Sequence, residues 1–318
     1  MRAERYHYAK RTQRDKKHGV RLMTLFVIMV SCFVLVGYIT LRPVTYAAQL
    51  ALAAPDTGSS PLLWPQVGAA GLRAESAGMA PSSSGDQVVP IASTTKLITA
   101  LAILEKRPLR QGEQGEVVRF TEGDVAIYQR VIAQDGAGVP VAPGQTMTEL
   151  QALQAMLLAS ANNIAITLVS WAFGSEQAYN AYANEMVHKM GCDHTHITGS
   201  SGLEADTVSS AADMTRVAAR AVSSPVLADI MALQSVEIPG FGAIYNSSHI
   251  TGLDPAIHPL KVGLTDEAGA CFVYWLEVQT PAGVERVYGA VFGQPDFHKT
   301  LLAYVNALAQ GGVRDALT

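Results

Sequence analysis

The stretch "PIASTTKLITALAILEK", residues 90–106, is apolar apart from its two ends and one early lysine, Lys96. Its spacing predicts a helix that opens on Ser93 as amino-terminal cap. Ser93 and Lys96 are then one turn apart on one face. A serine hydroxyl is a weak nucleophile until a neighbour takes its proton. A lysine amine takes it only when burial or a second cation lowers its pKa. The apolar run "TKLITALAIL" supplies burial, and the positive end of the helix dipole disfavours a charged amine. The same spacing also fits a solvated lysine behind a serine cap, so residues elsewhere must decide.

Two stretches bear on the choice. "LLASANNIA" (157–165) places Ser160 and Asn162 where one helix ends and the next begins. "PLKVGLTDEAGACFVYW" (259–275) places Lys261 and Gly263 on a strand. Taken singly, the first fits helix capping and the second an edge-strand lysine. An ordered set of S-x-x-K, S-x-N and K-x-G is harder to attribute to local structure.

The chain has 318 residues, 49% apolar and 16% charged, with a net charge of -4. That charge is segregated. Residues 1–21 hold eight basic and two acidic side chains, +6 in all, so residues 22–318 carry -10. An acidic body excludes nucleic acid as the expected partner. The run "LMTLFVIMVSCFVLVGYITL" (22–41) is uncharged over 20 residues, about the length that crosses ~30 Å of hydrocarbon. With its basic flank it predicts a single-pass anchor in the cell membrane: a cytoplasmic tail (1–21), a transmembrane helix (22–41), a linker (42–63) and an extracytoplasmic domain (64–318). A cleaved signal peptide is the rival, with an A-x-A site at Ala51–Ala53. The apolar run exceeds the usual length for that, and the site lies far downstream, so an uncleaved anchor is expected. No further carboxy-terminal domain is expected after residue 311. Cys192 and Cys271 could form a disulfide or remain two buried thiols.

Helical periodicity is read in 93–106, 146–160 (capping box Thr146 and Glu149), 163–174, 176–191, 210–222 and 296–311. Strand character is read in 66–74, 116–120, 259–265, 269–280 and 286–293, with a hairpin turn at "PAG" (281–283). Helices in the middle and strands late predict an α+β fold, an antiparallel sheet flanked by helices with a helical subdomain.

On these residues, about 64 to 297 resembles the low-molecular-mass penicillin-binding D-alanyl-D-alanine carboxypeptidases, of β-lactamase/transpeptidase-like fold. The stretches that carry the resemblance are 91–105, 157–168, "MGCDHTHITGSSGLEADTVSSAADMTRVA" (190–218) and 260–278. It implies a serine peptidase that removes terminal D-alanine from peptidoglycan stem peptides and is acylated by β-lactam antibiotics. Ser93 would be the nucleophile, Lys96 its general base and Ser160 a proton relay to the leaving amine. Asn162 would hydrogen-bond the peptide and Lys261 attract its carboxylate. The backbone N–H groups of Ser93 and Leu264 would form the oxyanion hole, with Gly263 keeping the strand close to substrate. A D,D-endopeptidase, or a catalytically weak peptidoglycan-binding homologue, would use the same framework. This chemistry calls for no cofactor or metal.

Two departures from the family pattern stand out. Alanine occupies the middle of Ser160-Ala161-Asn162, and Val262 stands where the family usually carries a hydroxyl that helps hold the substrate carboxylate. A charge-assisted hydrogen bond of that kind is worth roughly 1.5–3 kcal/mol. A weakened or differently selective peptidase is expected. "GSSG" (199–202) is not a nucleophile elbow. "CDHTH" (192–196) lacks spaced partners for a metal and is expected to be structural. No acid stands in the setting a β-lactamase needs to activate its deacylating water.

Overall fold

The computed structural model describes residues 64–76, 78–79, 84–280 and 283–309. The expected tail, anchor and linker (1–63) lie outside the described residues. Among the described residues, no helix is long and apolar enough to cross a membrane.

The late strands build the sheet. Strands β1 (Ala69–Ala74) and β2 (Gly78–Met79) stand on one side, and β9 (Ile257–Thr265), β10 (Gly269–Thr280) and β11 (Gly283–Gln294) complete it in the order β2-β1-β11-β10-β9. Every neighbouring pair is antiparallel. Short two-stranded ribbons join β3 (Val89–Pro90) to β6 (Val208–Ser209), β4 (Val117–Arg119) to β5 (Thr146–Thr148), and β7 (Ser235–Ile238) to β8 (Gly242–Tyr245). The predicted hairpin is present, with Thr280 paired to Gly283.

Strand β10 shows why the sheet is covered twice. Alternate side chains point to opposite faces. Cys271 and Val273 join the core shared with the helices, whereas Phe272, Tyr274 and Leu276 join a second core with Leu301, Val305 and Leu308. That second core is closed by a π-helical turn (Phe297–Leu301) running into α8 (Leu302–Ala307). The larger core belongs to α1 (Thr95–Lys106), α2 (Glu122–Ala133), α3 (Glu149–Leu158), α4 (Asn162–Phe173), α5 (Glu176–Lys189), α6 (Ala211–Val222) and α7 (Pro225–Ala232). Every residue of α1 from Thr95 to Ile103 is buried, as expected of a helix that is apolar on nearly all sides.

Three readings are corrected. The α-helix expected from Ser93 begins at Thr95, and Ser93 sits in a 3₁₀ turn, Ala92–Thr94. The helix expected from Thr146 begins at Glu149, because Thr146–Thr148 pairs with β4; its capping box is Thr148 with Gln151. The closing helix, expected over 296–311, opens with the π turn at Phe297 and is helical through 309, the last described residue. Helix α2 and the β7–β8 hairpin were not read from the sequence. Cys192 and Cys271 are free and buried, and burial pushes each thiol up to about 12.

Candidate active site

Ser93 is held in a strained turn. Ala92, immediately before it, has φ +46°, a left-handed conformation that costs a non-glycine residue energy. Side chains lock the turn: Thr94 Oγ1 donates to Ile91 O (2.6 Å) and Thr95 Oγ1 to Ala92 O (2.7 Å). Two glycines clamp it from outside. A Cβ on Gly202, itself at φ +78°, would overlap the Ala92 carbonyl oxygen. A Cβ on Gly263 would lie 2.7 Å from Ser93 N and 2.9 Å from Ala92 Cβ. Gly263 also lines the cleft, and its missing side chain lets β9 close onto the serine turn.

Lys96 is fully buried. Its Nζ lies 2.9 Å from Ser93 Oγ, 2.6 Å from Asn162 Oδ1 and 2.6 Å from Ser201 O. The last two are carbonyl oxygens, which only accept. They take two N–H bonds of the amine, so a neutral Lys96 has one lone pair left, and the remaining neighbour is Ser93 Oγ. Burial holds the Lys96 pKa well below its ordinary value, Lys261 lowers it further, and Glu204 opposes them. The arrangement can accept a proton from the Ser93 hydroxyl.

Ser160 follows the end of α3 with φ +57° and is 8% exposed. The backbone then enters α4 at Asn162, whose N–H donates to Ala137 O (2.8 Å). This ties the serine to the loop around Asp135, also left-handed at φ +55°. Among the described residues, three non-glycine residues have positive φ: Asp135 and Ser160 line one cleft, and Ala92 immediately precedes Ser93, which lines it too. Asn162 lines the cleft; its Oδ1 accepts from Lys96 Nζ, and the donor end of its amide is Nδ2.

Opposite lies the edge strand β9. Lys261 is fully buried, its Nζ donates to Val262 O (2.9 Å), and burial lowers its pKa to about 7. Val262 N–H donates to Ser248 Oγ (3.3 Å). Leu264 is 60% exposed. Thr265 Oγ1 accepts from Ala268 N–H (3.1 Å) in the turn to β10. Between the two walls is a cleft of about 680 Å³ that reaches Ser93, Ser160, Asn162, Gly263 and Leu264, a size suited to a small peptide segment. A second cavity, about 360 Å³ beside Leu101 and Met186, contains none of these residues.

Several contributors escaped the sequence reading. Ser201 acts through its carbonyl. Ser200 accepts from Thr99 Oγ1 at its own carbonyl (2.7 Å), while its N–H and hydroxyl both donate to Glu176 Oε1 (3.0 and 2.8 Å). Glu204 Oε2 is buried without a hydrogen-bond partner, and burial raises its pKa, with Glu176 adding to the effect. The segment "GSSGLE" was singled out for a motif it lacks; its use lies in backbone groups that face α1. In "CDHTH", Cys192 packs in the core and donates to Asp213 O, whereas His194 and His196 are exposed.

A serine on the cleft paired with a buried lysine, at the junction of a helical subdomain and an antiparallel sheet, marks the β-lactamase/transpeptidase-like fold class. The crystal structure of a D-alanyl-D-alanine carboxypeptidase from Mycobacterium tuberculosis shares the fold, with a TM-score of 0.67 and 24% identity over 82% of this chain and 96% of that one. The sequence pattern of the Peptidase S11 family, D-alanyl-D-alanine carboxypeptidase, matches residues 76–295, and the chain belongs to that family. It is 30% identical over 190 residues to the D-alanyl-D-alanine carboxypeptidase DacB2 of M. tuberculosis, covering 58% of this chain and 61% of that protein. It is 29% identical over 199 residues to a D-alanyl-D-alanine endopeptidase of Pseudomonas aeruginosa, covering 60% and 61%. The chain thus spans about three fifths of the length of these two relatives.

Proposed function

We propose that the protein is a serine D-alanyl-D-alanine carboxypeptidase of the cell wall. The observation that carries this reading is the buried Lys96 amine, fixed by two carbonyl oxygens and facing Ser93 Oγ. As the substrate peptide enters, Lys96 takes the Ser93 hydroxyl proton and Oγ attacks the carbonyl carbon of the penultimate D-alanine. The backbone N–H groups of Ser93 and Leu264 receive the developing oxyanion. Ser160 passes a proton to the departing amine, the C–N bond breaks and D-alanine leaves. Water then hydrolyses the ester on Ser93, returning the free acid and the serine hydroxyl. Asn162 and Ser201 orient Lys96, and Lys261 lies buried beneath β9 with its Nζ on the Val262 carbonyl. A β-lactam ring acylates the same oxygen.

The basic tail at 1–21 and the uncharged run at 22–41 support anchoring by a single span in the cell membrane, with residues 64–318 outside the cytoplasm and peptidoglycan stem peptides as partner. Incubating the full chain in detergent with a high concentration of fluorescent penicillin should label wild type and leave Ser93→Ala unlabelled. Absence of labelling on folded wild type, together with no release of D-alanine from a pentapeptide, would sink the enzymatic reading.

A further inference from the structure

The buried loop at residues 199–202 ties Lys96 to two acids. From α1, Lys96 Nζ donates to Ser201 O (2.6 Å) and Thr99 Oγ1 to Ser200 O (2.7 Å). On α5, Glu176 Oε1 accepts from both the N–H and the hydroxyl of Ser200 (3.0 and 2.8 Å). Glu204 folds back onto the same loop: a Cβ on Gly199 would lie 2.1 Å from Glu204 Oε2. That oxygen is buried without a hydrogen-bond partner, an arrangement that costs stability and calls for a reason. The cleft does not supply one, because Leu203 lines it and Glu204 does not. Lys96 does: burial and Lys261 lower its proton affinity, and Glu204 raises it. Burial raises the proton affinity of Glu204 itself and Glu176 adds to this, opposed by the backbone N–H groups of Glu204 and Leu203 and by Lys96. Tyr179 on α5, whose hydroxyl meets Thr99 Oγ1, is a further titratable group facing both acids.

We infer that Glu204 is a positioning residue for acyl transfer: packed on Gly199 behind the loop that holds Ser201 O on Lys96, its carboxylate acts through that loop on the amine that faces Ser93. A carboxylate favours the protonated amine, so Glu204 keeps Lys96 a stronger base than burial beside Lys261 would leave it. Without that charge the amine would stay neutral to lower pH but would take the Ser93 proton less readily. Charges separated by a buried loop are little screened, so no direct contact is needed. Glu204 stays outside the path of the proton, which moves from Ser93 Oγ to Lys96 Nζ. The inference rests on the reading of Lys96 as general base of a D,D-peptidase.

The rate of acylation by a fluorescent penicillin, followed across pH on the full chain in detergent, tests this. Glu204→Gln keeps the shape of the side chain and removes its charge. The half-maximal point on the acid side of the profile should move down by about one pH unit, the scale of one nearby charge. The plateau at high pH should fall by less than ~10-fold, because a base one unit weaker loses only part of that factor in rate. Glu204→Asp, which keeps the charge, should leave the half-maximal point near its wild-type position. A residue that merely props the loop would lower the rate at every pH and move nothing. Should Glu204→Gln fold poorly, Glu204→Met, which adds no buried amide, should give the same displacement. No displacement, or an upward one, in a folded neutral variant overturns the inference and leaves the peptidase reading standing, since wild type is still acylated. No acylation of folded wild type at any pH overturns both.

Discussion

The two walls of the cleft are built on different terms. On the helical wall, the polar groups around the Lys96 amine are matched: each oxygen near Nζ has a defined role, and the amine is dry. On the strand wall, Lys261 is folded back onto its own backbone, Val262 is half-buried against the second core and Leu264 is exposed. In the proposed reaction, acyl transfer depends on the first wall. The two walls meet where Gly263 presses on the serine turn and are coupled through the field of Lys261 on Lys96.

Breaking the helical wall should have the largest effect. Lys96→Met keeps much of the buried stem but removes the base, and acylation by penicillin should slow by about 10²–10⁴-fold, the range of general base catalysis. Stopped-flow or gel labelling measures it; a loss below 10-fold would mean that another group takes the Ser93 proton. Breaking the seam comes next. Gly202→Ala and Gly263→Ala each drive a methyl into the serine turn. Each should lower stability by roughly 1–3 kcal/mol, the usual cost of overpacking, and slow acylation because Ser93 shifts from Lys96. Thermal melts and labelling rates report the two losses, and unchanged values would show that the turn has room.

The smallest effect sharpens the strand wall. Lys261 has its pKa lowered to about 7 by burial, against 10.5 ordinarily. Between those values the unfolded chain holds a proton that the native state lacks, so stability rises as pH increases above about 7. One such group contributes on the order of 1.4 kcal/mol per pH unit. Lys261→Met should remove that slope between about pH 7 and 9, as read from denaturant midpoints against pH. A slope identical to wild type would show that Lys261 stays charged in the native state.

Much of the site was legible in the sequence, for local reasons. Lys96 three positions after Ser93 in an apolar run fitted a buried pair, and Ser160, Asn162 and Lys261 further along the chain tipped the reading that way. What escaped was backbone. Ser201 contributes a carbonyl and Gly202 the absence of a side chain, and neither is marked by a reactive residue type. Asn162 was placed correctly at a helix start, but only the packing of α4 against α1 brought its oxygen to Lys96. The capping box was misplaced by two residues because Thr146–Thr148 satisfies its backbone by pairing with β4, and a nonlocal partner outweighs a local propensity.

The sequence by itself determined the α+β composition, the order of the motifs and the functional groups of the candidate Ser93–Lys96 pair, since those follow from periodicity and functional groups along the chain. The tertiary structure alone decided that the three motifs meet, that Gly202 and Gly263 both press on the strained Ala92–Ser93 turn, and that Glu204 folds onto the loop that holds Lys96. Burial, strain and electric field arise from residues far apart in the chain, and only folding brings them within a few ångströms of one another.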